Sequence, residues 1–157
     1  MQRESALAIW FLLALSLAGC ARPVVNPGEA EAVAAILKLN GKIEFDETSP
    51  VRPAIKVYLH NTAVKDGDLI VLPKLTKLEN LFLGKTQITD AGLEHLRGAS
   101  ELKTLSLNGT QVTDAGLKSL AGLKNLKTLN LQDTKVTSAG ITELRQALPG
   151  VNIPRGG

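Results

Sequence analysis

The 157-residue chain has a single cysteine, so an internal disulfide framework is excluded and packing alone must hold the fold. Aromatic residues make up only 3% of it: one Trp, one Tyr and three Phe. A core built on large rings is therefore excluded, and aliphatic side chains, chiefly leucine, have to supply it. Charge of one sign is nowhere concentrated. The formal net charge is +3 and the lysines are spread along the whole chain, whereas a nucleic-acid site needs a dense basic stripe. No nucleic-acid partner is expected. A phosphate-binding loop, a dinucleotide fingerprint, a nucleophile elbow and zinc-ligand spacing are all missing. With 44% hydrophobic and 21% charged residues, the composition is that of a globular domain. It points to no catalytic residue, no cofactor and no metal.

What is present begins with an address. Met1–Glu4 is short and polar, and Ala6–Ala18 is almost unbroken apolar sequence. That length suits the hydrophobic region of a signal peptide and is short for a membrane span of about 20 residues. Leu17-Ala18-Gly19-Cys20 resembles the lipobox of bacterial lipoproteins. The resemblance implies that Cys20 is acylated and becomes the first mature residue, with small residues at 18 and 19 admitting the peptidase. Each buried methylene contributes about 0.8 kcal/mol, so two or three acyl chains anchor durably where one does not. The implied location is the bacterial cell envelope, lipid-anchored and facing the periplasm or the outer surface. Ala21 stands where, in the best-known sorting rule, an Asp would signal inner-membrane retention; that rule varies between bacteria, so inner and outer membrane both stay open. The alternative is an ordinary signal peptide, or an uncleaved anchor, with an incidental cysteine. On the first reading residues 1–19 are the signal peptide and 20–25 the lipidated cysteine and its spacer. The five residues after Cys20 reach at most about 17 Å, which would hold the domain against the membrane.

The rest of the chain repeats itself every 24 residues. Leu78, Leu102 and Leu126 open three segments. Within them the same offsets carry Leu81, Leu105 and Leu129; Leu83, Leu107 and Leu131; Thr86, Thr110 and Thr134; Ile88, Val112 and Val136; and Gly92, Gly116 and Gly140. A divergent copy precedes them, with Val57, Leu59, Thr62, Val64, Leu69 and Leu72 at matching places. The pattern L-x-x-L-x-L-x-x-T-x-[IV]-T-D-A-G-L resembles the leucine-rich repeat in its ribonuclease-inhibitor-like or cysteine-containing types, in a bacterial T-D-A-G-L variant. The resemblance implies an α/β solenoid of about four repeats over 54–153, with short parallel strands on the concave face and helices on the convex face. One strand and one helix cannot bury an apolar face alone, so neighbours must stack.

Alternation places strands around 81–83, 105–107 and 129–131, and helices near 90–97, 114–121 and 138–147. The four threonines 62, 86, 110 and 134 are expected to satisfy backbone groups of adjacent turns. Thr89-Asp90, Thr113-Asp114 and Thr137-Ser138 read as helix caps. Asp66, Asp90 and Asp114 stack in one column, where a divalent cation is conceivable and capping the simpler reading. Residues 26–53 read as an N-terminal cap: Asn26 as N-cap, Pro27 as first helical residue, Glu29 as capping-box acid, a helix ended by Asn40-Gly41, then a hairpin through Ile43-Glu44-Phe45. Val151-Asn152-Ile153 reads as a final short strand, and 154–157 as a tail.

In this type of solenoid the variable strand positions project from the concave face. One column is Tyr58, Phe82, Ser106 and Asn130; its neighbours are His60, Gly84, Asn108 and Gln132, and Lys56, Asn80, Thr104 and Thr128. Asn61, Lys85, Gly109 and Asp133 follow at the strand ends. Tyr58 and Phe82, flanked by His60 and Lys85, are either an exposed hot spot or core beneath the N-terminal hairpin. The expected partner-binding residues are therefore Lys56, Tyr58, His60, Asn80, Phe82, Lys85, Thr104, Ser106, Asn108, Thr128, Asn130 and Gln132. They make the domain a protein- or peptide-binding module held at the membrane through Cys20. The alternative is a structural or assembly element of the envelope without a ligand on the concave face. His60 and His95 fall on strand and helix, on different faces, so a shared catalytic site is not expected.

Overall fold

A computed structural model describes Asn26 and residues 28–154. The sequence features expected over residues 1–25, including the signal peptide and Cys20, lie outside this range, as do Pro27 and residues 155–157.

Helix α1 covers Ala30–Lys38 and buries Ala32, Val33 and Ile36 on one stripe. It ends as Asn40-Gly41 suggested. Asn40 takes a left-handed φ of 57°, its N–H donates to Leu37 O, and the Gly41 N–H donates to Ile36 O, the paired bonds of a Schellman close. The start differs from expectation. Asn26 folds an Asx turn, accepting the Gly28 N–H at its Oδ1 (3.1 Å) and the Glu29 N–H at its backbone oxygen (2.8 Å). Glu29, at the N-cap, makes no side-chain cap. Its carboxylate is buried and accepts the backbone N–H of Ala54 at 3.0 Å. The bond to a distant strand wins because Ala54 begins the sheet beside the helix, and its N–H has no other route to an acceptor once buried.

Strands β1 (Lys42–Phe45) and β2 (Ala54–Tyr58) form the antiparallel hairpin, with Glu44 opposite Lys56 and Ile43 opposite Val57. β3 (Asn80–Phe82), β4 (Thr104–Ser106) and β5 (Thr128–Asn130) then stack in parallel in the order β1-β2-β3-β4-β5. Register follows the repeat without slip: Val57, Leu81, Leu105 and Leu129 lie side by side and are wholly buried. A slip of one residue would turn every leucine outward, so the period that places the leucines also fixes the pairing. Burying a leucine contributes about 1.5–3 kcal/mol, and the aliphatic ladder runs as one core from Ala32 to Ile153. The last segment is less than a strand: Asn152 makes a single parallel bridge to Thr128, and Pro154 has no N–H with which to continue.

On the other side lie α2 (Asp90–Glu94), α3 (Asp114–Leu120) and α4 (Ser138–Ala147). In the divergent first copy the same place holds a 3₁₀ helix, Asp66–Lys74, containing Pro73. α2 is shorter than expected, its last turn tightening so that His95, Leu96 and Arg97 donate to carbonyls three residues back.

Two expectations about polar side chains are corrected. Thr62, Thr86, Thr110 and Thr134 do not reach adjacent turns. Each hydroxyl donates to the carbonyl three residues earlier in its own repeat, at 2.6–2.7 Å, closing the bend after the strand. The aspartates, in turn, do not cap their own helices. Thr89, Thr113 and Thr137 are the N-caps. Each aspartate reaches forward into the following repeat: Asp66 accepts the N–H (2.8 Å) and hydroxyl (2.6 Å) of Thr89. Asp90 does the same to Thr113, and Asp114 to Thr137. Gly92, Gly116 and Gly140 lie directly under these carboxylates, where any Cβ would collide with the aspartate Oδ1. T-D-A-G is thus an inter-repeat clasp. The threonine receives the previous aspartate, the aspartate serves the next threonine, and the glycine leaves room.

Candidate binding face

Alternation along each strand sends Lys56, Tyr58, Asn80, Phe82, Thr104, Ser106, Thr128 and Asn130 to the sheet face away from the helices, where they are half-buried. Such faces form the extended concave surface of repeat solenoids. The hairpin does not fold over them. β1 pairs edge to edge with β2, so it widens the sheet and leaves the face open.

Tyr58 and Phe82 stack, with ring centroids 4.9 Å apart and planes 4° from parallel. This follows from the register, since neighbouring strands lie about 4.8 Å apart and the two residues are paired. His60 meets the Tyr58 ring edge-on at 6.2 Å. The Tyr58 hydroxyl donates to Glu44 Oε1 at 2.8 Å, and Lys56 pairs with the same carboxylate at 2.7 Å. Hydrogen bonds from Lys56 and then Tyr58 hold the Glu44 carboxyl below the usual glutamate range. The same contacts push the Lys56 ammonium and the Tyr58 phenol up. Glu44 is the neighbour of Lys56 and Tyr58 that the sequence columns omit. Its signal was the alternation of Ile43-Glu44-Phe45, which an antiparallel register opposite Lys56 turns into a partner for that lysine.

Beyond the ring pair the face sinks into a cleft of about 260 Å³ lined by His60, Asn61, Phe82, Gly84, Lys85, Ser106 and Asn108. Its floor is low because residue 84 has no side chain, and Asn108 leans into the space a Cβ would occupy there. The Ser106 hydroxyl donates to Asn108 Oδ1 at 2.9 Å, which sets the amide in place. Lys85 stands exposed at the rim on a left-handed turn, φ 55°. Of the expected residues, then, His60, Phe82, Lys85, Ser106 and Asn108 converge on the cleft. Tyr58 and Lys56 support it from the hairpin side. Asn80, Thr104, Thr128, Asn130 and Gln132 lie on the same face outside it, and the Gln132 backbone N–H donates to Asn130 Oδ1 at 3.0 Å.

Among the described residues, no group of three or more His, Cys, Asp and Glu side chains gathers where it could hold a metal. The aspartate column is spent on the clasps. Nor, among the described residues, is any helix long and apolar enough to cross a membrane.

Residues 100–146 match the family model described as Leucine Rich repeats (2 copies). No curated protein matches the sequence closely enough to stand as a relative. Among solved structures, a leucine-rich-repeat protein of Leptospira interrogans is 19% identical with a TM-score of 0.51, the match covering 69% of this chain and 27% of that one. An internalin of Listeria monocytogenes is 22% identical over 66% of this chain and 35% of its own, TM-score 0.46. A receptor-kinase ectodomain of Arabidopsis thaliana is 11% identical over 82% and 91%, TM-score 0.47. The chain thus spans about a third or less of the two bacterial proteins. Leucine-rich repeats are in general protein-interaction modules, and the repeat match together with the shared fold makes this domain a leucine-rich-repeat solenoid.

Proposed function

We propose that the chain is a lipid-anchored protein of a bacterial envelope, tethered through Cys20, whose repeat domain binds a protein or peptide on its open strand face. The observation that carries this reading is the Tyr58–Phe82 stack, left half-exposed beside a cleft on a face that nothing in the described chain covers. Aromatic anchors beside a pocket are where binding energy concentrates in protein interfaces. The tether rests on the lipobox-like Leu17-Ala18-Gly19-Cys20. The face is only five short strands wide, β1 to β5, about 20 Å, less than one side of a standard interface of about 800 Å² per partner. It suits a peptide, a loop, or several tethered copies acting together. No chemical step is assigned to it.

The test is crosslinking in intact envelopes with wild type and the Tyr58→Ala/Phe82→Ala double variant, identifying captured proteins by mass spectrometry. A partner held by wild type and lost by the folded double variant is the expected result. Identical capture by both, or capture by neither, would overturn the strand-face reading and leave a structural role in the envelope.

A further inference from the structure

The column that begins with Tyr58 and Phe82 continues with Ser106. Tyr58 covers one face of the Phe82 ring. The other face looks along the column toward β4, where the side chain is only a hydroxymethyl group, and both Phe82 and Ser106 line the cleft. The ring ladder is therefore one ring short. The centroid separation of 4.9 Å nearly equals the strand spacing of about 4.8 Å. A planar group over Ser106 would extend the stack at its existing pitch.

The polar groups around this slot have a bias. Lys56 is paired with Glu44, and Lys103 with Glu79 at 2.6 Å. Lys85 has no carboxylate within ion-pair distance among the described residues. Because Ser106 donates to Asn108 Oδ1, the Asn108 amide presents its Nδ2 hydrogens, which meet no acceptor among the described residues. The carboxylate nearest the ring pair, Glu44, is occupied by Lys56 and Tyr58. The rim thus offers an ammonium and an amide donor next to a bare aromatic face, and no free acid.

We propose that the cleft takes a peptide segment carrying an aromatic residue beside an acidic one. The partner ring lies on the free face of Phe82 over Ser106, and the carboxylate accepts from Lys85 Nζ and Asn108 Nδ2. A carboxylate satisfies both donors through charge-assisted bonds, and offset stacking suits the open ring. This rests on the strand-face reading above and specifies its partner.

The experiment uses the full chain in detergent and fluorescent eight-residue peptides of four compositions: aromatic with acidic, aromatic with basic, leucine with acidic, and neutral polar. A neutral N-acetylglucosamine oligomer is the fifth probe. Fluorescence polarisation should favour the aromatic–acidic peptides. Lys85→Glu should weaken them about tenfold or more, and Ser106→Phe, which fills the slot from within, should abolish them. Circular dichroism verifies that each variant is folded, and Lys85→Glu, at an exposed rim, guards against misfolding in Ser106→Phe. Preference for basic or leucine-containing peptides or for the sugar, or indifference to both substitutions, would overturn the inference. If envelope crosslinking still depended on Tyr58 and Phe82, the strand-face reading would survive that result. If no probe bound and capture were also independent of Tyr58 and Phe82, both would fall.

Discussion

Asp90 and Thr113 are joined twice: one carboxylate oxygen accepts the threonine amide at 2.8 Å, and the other accepts its hydroxyl at 2.6 Å. The threonine hydroxyl also accepts the N–H of Ala115 at 3.3 Å. One residue thus caps its own helix while it is gripped by the repeat before it. Hydrogen bonds to a charged group contribute about 1.5–3 kcal/mol, so Asp90→Ala should destabilise the domain by about that amount in urea unfolding.

Gly116 gives an independent check. Gly116→Ala places a methyl where the Asp90 carboxylate sits, and should destabilise to a similar degree. With Asp90→Ala already present, the same alanine should cost much less. A double-mutant cycle in which the two effects simply add would show that the glycine is there for some other reason.

Acid should loosen the clasp between Asp114 and Thr137. The Thr137 hydroxyl, and then its amide, hold the Asp114 carboxyl below its ordinary 3.8. A lowered folded-state pKa gives stability that is present above the unfolded value and lost as pH falls through the folded one. Thermal stability should therefore be level down to about pH 5 and decline below about pH 4. Asp114→Asn should melt lower than wild type at neutral pH, with the gap closing in acid. At the other extreme, the Lys56 ammonium is held above 10.5 by Glu44. Its contribution is present below 10.5 and is lost as pH rises through the higher folded value. A melting curve against pH for Lys56→Met should lack that alkaline loss.

Lys85 occupies a left-handed turn that its counterpart Gly109 adopts at φ 67°. An L side chain there costs about 1–2 kcal/mol, partly offset for glycine by its extra freedom when unfolded. Lys85→Gly should raise stability by about 0.5–1 kcal/mol while weakening partner capture. A gain in stability paired with a loss of binding is the pattern expected where a strained position is retained for use.

The anchor is tested separately. Cys20→Ser should move the protein from the detergent phase to the aqueous phase of a detergent partition. Unchanged partitioning would mean that something other than acylation of Cys20 holds it.

Much of the fold could be read from period and alternation. Leu81, Leu105 and Leu129 had to be neighbours, and the hairpin through Ile43 and Phe45 had to precede them. The errors share one cause. A 24-residue period makes bonds within a repeat and bonds between repeats look alike, because every column is preserved in both. Asp90 therefore read as a cap for its own helix, and Thr110 as a bridge to its neighbour, when each does the opposite. The discriminating signal was the glycine 26 residues after each aspartate, at 92, 116 and 140, which has meaning only if the carboxylate crosses between repeats. The divergent first copy shows the converse. Lys65-Asp66-Gly67-Asp68 keeps the outgoing aspartate but lacks the incoming T-D-A-G, and Pro73 interrupts its helix, so a 3₁₀ segment results. In the site, the columns gave Phe82, Ser106 and Asn108 their neighbours. They could not show whether the hairpin would cover the rings or lie beside them, because that depends on β1 pairing at the sheet edge.

The clasps also set an order of opening. Each of three helical segments is fastened to the one after it, and Ser138, standing where an outgoing aspartate would be, fastens nothing onward among the described residues. Fraying should therefore start at α4 and travel rung by rung toward β2, with amide hydrogens exchanging in that sequence. The cleft at Phe82 lies near the opposite, hairpin-braced end, so a breathing C-terminal rung would leave its geometry undisturbed.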